Sequence, residues 1–313
     1  MDESLYRDVD GVWMHYMFSE EAVRSAINYK PRYGDIITVT YPKCGTNWMQ
    51  CIIWNILTDG EPPSDIGQFS LMCPFIDLTG AGAAENPSRI GPVMTHLPLR
   101  IFPPVAHAKY IYVARNPYDC AVSYYHFLKG LTPKTFTDLS FEKFLSLFLS
   151  GKIIYGDFFD HLLPWYERRH DKNILFLTYE QLKKDIRGEV LNISDFLGEN
   201  YGRRMRADPA LLERVVHGSS LKSMKDLFKD TPEDRMRKIA ETAATMSHPI
   251  EMLKNMPQGK LDLHEGVGFV RKGIVGDWKN YFTPDMIDKM KAWIEEKTKA
   301  CDVMTLWKDC DLP

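Results

Sequence analysis

The stretch Thr38–Leu57, TVTYPKCGTNWMQCIIWNIL, runs from a β-branched segment through Tyr41-Pro42-Lys43-Cys44-Gly45-Thr46 into an apolar pattern of helical period. At such a strand-to-helix turn several backbone N–H groups lack partners, and the helix dipole adds partial positive charge. Gly45 lets the backbone come close to a ligand, Thr46 adds a hydroxyl donor and Lys43 a full charge. Together they have the makings of a cradle for a phosphate-type anion. The loop is not a Walker A motif: GxxxxGK[ST] occurs nowhere, and here the lysine precedes the glycine. Taken alone, the stretch also fits a tight turn with a solvated lysine.

Outward from this loop, the same form recurs. Asp35–Tyr41 (DIITVTY), Lys109–Ala114 (KYIYVA) and Asn173–Thr178 (NILFLT) are short, apolar and rich in β-branched or aromatic residues without strict alternation. That is the pattern of strands covered by helices on both faces. Each leads through a polar turn into a helical pattern, over Trp48–Leu57, Tyr118–Lys129 and Tyr179–Ile186 respectively. The βα repetition predicts an α/β fold, a central parallel sheet flanked by helices, with ligands at the carboxyl ends of the strands. No repeat, low-complexity tract or linker divides residues 1–313, which read as a single domain. Asp59–Gly91, rich in Gly, Pro and Ala, and Phe228–Gly268 read as irregular spans, long enough to be lids or substrate loops.

A hydrophobic fraction of 44% over 313 residues suffices for one substantial core or two small ones. The net charge of −3 gives no general basic field for nucleic acid, so any anion site must be local. The start, MDESLYRDVDGVWMHYMF, lacks the cationic opening and long apolar run of a secretory signal. Nowhere do about 18 apolar residues follow one another, so no membrane association is expected. The six cysteines are scattered without a CxxC pair and read as reduced thiols of a cytoplasmic protein.

Two further basic loops bear on the first. IYVARNPYDCAVSYYHF puts Arg115 at the end of a strand and Ser123 in the following helix. The planar arginine fork suits a phosphate, although a salt-bridge role stays open. GFVRKGIVGDWKNYFT carries Arg271-Lys272-Gly273, a third anion loop or a solvated charged turn. No HExxH or paired CxxC suggests a metal, and none is expected.

YPKCGTNW, THLPL, YVARNPYDCAVSYYHF and RKGIVGDWKNYFT resemble the successive signatures of the cytosolic sulfotransferases, in family order from about Gly11 to Thr283. IIYGDFFDHLLPWYE and ILFLTYEQLKKD resemble the segments between them. The resemblance implies a fold like that of the P-loop kinases and transfer of a sulfuryl group from 3′-phosphoadenosine 5′-phosphosulfate (PAPS), leaving 3′-phosphoadenosine 5′-phosphate (PAP). Carried over residue by residue, it assigns Lys43, Cys44, Gly45, Thr46 and Asn47 to the 5′-phosphosulfate loop and Trp48 to stacking on adenine, with a core role for Trp48 still open. Arg115 and Ser123 match positions at the 3′-phosphate, closed over by Arg271, Lys272 and Gly273. Tyr179 matches a residue near the adenine, as does the segment HGSSLKSM with Ser219, Leu221 and Met224, where Leu221 replaces the usual aromatic.

For the reaction the resemblance marks His96 as general base, Lys43 as the cation on the bridging oxygen, and Ser123 beside them. Phe18, Phe75, Met94 and His96 match the acceptor pocket, with Trp13 and Met72 as additions. An aromatic pocket suits phenols, catecholamines, aryl amines or steroids without choosing among them. Met94 stands where many relatives have a lysine, and Pro284 interrupts the family's short dimer motif in KNYFTPDMID, so the homodimer stays open. Cys44, at a helix start beside Lys43, is either a thiol of lowered pKa open to oxidation or a small packing residue. The alternatives to an active sulfotransferase are an ATP-dependent small-molecule kinase and a catalytically weak protein that binds a hydrophobic small molecule. His126 and His161 read as packing residues.

Overall fold

The computed structural model describes residues 6–131, 139–246 and 270–313. Four parallel strands form the central sheet: β3 (Ile36–Val39), β4 (Val93–Thr95), β5 (Lys109–Ala114) and β6 (Ile174–Thr178), in the spatial order β4-β3-β5-β6. Ile37 faces Val93 on one side and Tyr110 on the other, and Tyr112 faces Phe176. Along β5 the side chains alternate between two cores. Tyr110, Tyr112 and Ala114 join the larger one, whereas Ile111 and Val113 pack with Met49, Ile52 and Ile53 of the helix Thr46–Leu57. With both faces covered, every residue of this strand after Lys109 is buried. The α/β fold with helices on both faces is as the sequence indicates.

β4 was not among the three strands expected from the sequence. At three residues, VMT, it is too short to show a period, and it is recruited by pairing with β3. An antiparallel hairpin, β1 (Tyr6–Val9) with β2 (Val12–His15), precedes the sheet. Its turn, Asp10-Gly11, has φ of 51° and 87°, the two-residue type that Asp-Gly favours.

Two expectations are corrected. Asp59–Gly91 is not irregular: it holds the short helices Ile66–Met72, Ile76–Thr79 and Gly82–Glu85. The Asp65 carboxylate caps the first of these by accepting from the Gln68 N–H at 2.9 Å. Within Phe228–Gly268, residues Pro232–Met246 form a helix, and residues 247–268 lie outside those described. Thr231 accepts from the Asp234 N–H at 3.1 Å with Pro232 following it, a start signal hidden among polar residues. Among the described residues no helix is long and apolar enough to cross a membrane.

Candidate active site

The carboxyl end of each sheet strand delivers one candidate residue: Lys43 after β3, His96 after β4, Arg115 after β5 and Tyr179 after β6. The loop after β3 is built on two positive φ angles, 71° at Lys43 and 111° at Gly45. Gly45 is the N-cap of the helix Thr46–Leu57, and no side chain caps it. The first N–H groups of that helix are thus left for a ligand. A Cβ at Gly45 would stand 3.0 Å from the Tyr179 ring, so the loop is pressed against the β6 end.

Two cations, Lys43 and Arg115, meet here, and among the described residues neither forms an ion pair with a carboxylate. The charged groups nearest Lys43 include Arg115 and Arg271, and desolvation, reinforced by Arg115, lowers its ammonium pKa to about 8. Arg115 donates to the backbone carbonyls of Lys43 at 3.2 Å and Ile274 at 3.3 Å, and its guanidinium lies 4.4 Å from the centre of the Tyr179 ring. Its Nε is buried without a hydrogen-bond partner. Unpaired positive charge, an orphaned donor and an uncapped helix start all fit a polyanion. The Lys43 ammonium itself rests 4.4 Å from the Phe127 ring centre.

The third basic loop reaches the same place through Asp119, whose carboxylate accepts from the Gly276 N–H at 2.7 Å and the Trp278 N–H at 3.0 Å. Arg271 and Lys272 both pair with buried Asp277, at 2.5 and 2.8 Å, which holds that carboxyl at a pKa of about 2. Leu221 packs on Gly273, where an added Cβ would lie 2.9 Å from it. Trp48 meets Tyr179 edge-on at 5.3 Å and borders the small cluster containing Met224. Asn47 is half-buried in the first turn of the helix, and Ser123 is half-buried within the helix Pro117–Leu131. The Ser219 hydroxyl turns back onto its own helix, donating to the Val215 carbonyl at 2.9 Å.

The Cys44 thiol is buried 3.8 Å from that of Cys120, and burial, then the neighbouring thiol, pushes its pKa well up rather than down. It packs in the larger core, as the second of the two readings the sequence left open has it.

On the other side of Lys43, His96 is held at three points. Its Nδ1 lies 2.8 Å from the Thr40 carbonyl, which only accepts, so Nδ1 carries the proton and Nε2 the lone pair. Its backbone N–H donates to Asp77 at 2.8 Å, and its backbone carbonyl lies 3.1 Å from Nε2 of His161. Burial, and secondarily the charge of Lys43, lowers its pKa to about 4, so the ring is neutral at physiological pH. Phe75 and Tyr155 meet the imidazole edge-on at 5.1 and 5.2 Å, and Phe18 packs against both. Met94, nearly buried, precedes His96 by two residues on β4. Asp77 and Tyr155 are the residues that sequence reasoning missed. Both are buried, and Tyr155 adopts a φ of 68°, uncommon for a bulky side chain.

The model of the sulfotransferase domain matches residues 33–302. Mouse sulfotransferase 1B1 is 33% identical over 277 residues, covering 84% of this chain and 82% of that protein. Mouse sulfotransferase 2B1 is 37% identical over 278 residues, covering 85% and 72%. The crystal structure of mouse sulfotransferase SULT7A1 complexed with PAP superposes with a TM-score of 0.70 at 29% identity, covering 98% of this chain and 99% of that one. The chain belongs to the sulfotransferase family, and is an enzyme that uses PAPS to transfer a sulfuryl group to small-molecule acceptors.

Proposed function

We propose that the enzyme sulfates a hydroxyl or amine of a small aromatic or steroidal acceptor, with His96 as general base. The observation that carries this reading is the His96 imidazole. Its tautomer is set by the Thr40 carbonyl, and its ring stands among Phe75, Tyr155 and Phe18 with Lys43 on its other side. A neutral imidazole with a free Nε2 accepts the acceptor proton, and the aromatic walls bury the acceptor and exclude water.

The residues present fit PAPS: Lys43, Gly45, Thr46 and Asn47 at the uncapped helix start, Arg115 and Ser123 with Arg271, Lys272 and Gly273 for a second anionic group, and Trp48, Tyr179, Leu221 and Met224 beside the base. When bound, this donor supplies the activated sulfuryl group. Lys43 neutralises charge developing at the leaving oxygen, and its low pKa lets anion binding restore full protonation. Arg115 and the loop at Gly273 bind and orient. Phenols, catecholamines and steroids all suit the cage.

The test is sulfate transfer from labelled donor to a panel of these acceptors, with His96→Ala as control. Transfer by the parent enzyme, and its loss in a variant that still binds PAP, is the expected result. Near-normal turnover in that variant removes His96 from the mechanism.

A further inference from the structure

Asp77, in the short helix Ile76–Thr79, is fully buried directly behind His96. Its Oδ1 accepts from the Thr95 hydroxyl at 2.6 Å, and its Oδ2 from the His96 N–H at 2.8 Å and the Tyr155 hydroxyl at 2.9 Å. Besides its own backbone N–H, these are three donors, and among the described residues no cation pairs with the carboxylate. The helix Glu20–Asn28 packs against this segment, yet its Arg24 is engaged with Glu20 and Asp10 at the surface. Glu21 and Glu85, on the neighbouring helices, are exposed. Tyr124 is near enough to Tyr155, and Lys43 and His161 to His96, to act on them electrostatically, and His161 Nε2 meets the His96 carbonyl at 3.1 Å.

A buried carboxylate without a counter-ion is costly, and replacing it with an apolar residue often stabilises a fold. Its placement has a use in the reaction. A neutral, buried His96 beside Lys43 is a poor proton acceptor, because the imidazolium it becomes finds no solvent and a nearby positive charge. We infer that Asp77 is a positioning residue for the sulfuryl transfer, its carboxylate fixing the His96 backbone and the Tyr155 wall and supplying the negative charge that steadies the imidazolium formed when Nε2 takes the acceptor proton. The inference rests on the reading of His96 as base. The proton moves from the acceptor to Nε2; Asp77 accepts hydrogen bonds throughout and takes no proton itself.

The test is Asp77→Asn. With the amide nitrogen facing Thr95, whose hydroxyl can accept, the remaining oxygen still accepts from the His96 N–H and the Tyr155 hydroxyl, so the substitution removes the negative charge while one orientation keeps the contacts. Turnover is expected to fall about 10- to 100-fold, part of what a general base contributes, with the dissociation constant for PAP unchanged. The parent carboxyl is raised to a pKa of about 6 by burial, so parent kcat falls as pH drops through that value. In the variant that limb disappears. Tyr155→Phe removes one of the hydrogen bonds that lower the Asp77 pKa and shifts the limb to higher pH, a second readout if Asp77→Asn does not fold.

A measurement independent of turnover separates this inference from the functional reading. In the ligand-free enzyme, the His96 ring resonances should show an inflection near pH 6 from Asp77, absent in Asp77→Asn. If the parent transfers sulfate to no acceptor, the functional reading fails while the inflection still decides the coupling. A variant limb identical to the parent's, an unmoved limb in Tyr155→Phe, or a parent without the inflection would each overturn the inference.

Discussion

Gly45→Ala tests the anion loop without touching a charge. Gly45 sits at a φ of 111°, where a Cβ costs about 1–2 kcal/mol. That Cβ would also lie 3.0 Å from Tyr179 Cδ2, inside normal contact, so the ring must move by a few tenths of an ångström. Tyr179 cannot move freely, because the Arg115 guanidinium lies over its ring at 4.4 Å and Trp48 meets it at 5.3 Å. The loop, rather than the ring, is therefore expected to yield, turning its N–H groups away from a bound anion. If about 1.4–2 kcal/mol of the strain appears in binding, PAP affinity falls roughly 10- to 30-fold. The remainder appears as a Tm lowered by a few degrees. Titration calorimetry with PAP, paired with thermal unfolding of the ligand-free enzyme, measures both. Unchanged affinity together with unchanged Tm would refute the reasoning, since the strain would then exist in neither state.

Lys43→Ala should lower kcat by about 10²–10³, as loss of a single charge-stabilising group does, with a much smaller change in PAP affinity; saturation kinetics separates the two, and a pure affinity defect contradicts the leaving-group role. Alkylation of the folded, ligand-free enzyme followed by mass spectrometry should label exposed Cys301 and spare Cys44, whose thiol is buried and raised in pKa. For stability, His96 and His161 have folded pKa values of about 4 and 3, below the unfolded value. The unfolded chain therefore gains these protons first, and stability is lost as pH falls from about 6.5 towards 4. His15 and His126, both lowered to about 4, add to this, and the raised carboxyls of Asp77 and Asp157 oppose it as two groups against four. The midpoint measured by scanning calorimetry should be lower at pH 5 than at pH 7.

Much of this site is legible in the sequence because its parts lie at strand ends, where an apolar run stops and a chemically specific residue follows. Lys43 and Arg115 were singled out that way, and the fold with them, whereas Tyr179 came from the family resemblance. His96 needed the family resemblance, since its strand of three residues leaves no period to read. Asp77 and Tyr155 were missed for another reason. Asp77 lies in a stretch that reads as irregular, where a polar residue is ordinarily solvated, and Tyr155 lies in a segment noted only for its family likeness. What buries them is tertiary: Asp77 finds its donors at Thr95, His96 and Tyr155, up to 78 positions away. The Asp10-Gly11 turn was a readable hairpin signal that the acidic start obscured. Cys44 stayed open between two readings because the sequence does not show which way the thiol faces; facing the core, desolvation outweighs the helix dipole.

The strand order carries a kinetic meaning as well. β3 finds its partners only at β4 and β5, and β5 completes its pairing only at β6, so every ladder in the sheet closes over a long stretch of chain. Loop closure of this kind makes parallel sheets slow to assemble. Because each strand end contributes one residue of the candidate site, no partial sheet brings all four together. During refolding, competence to bind nucleotide should therefore emerge with the last strand to dock, and a nucleotide can stabilise the finished molecule without hastening its assembly.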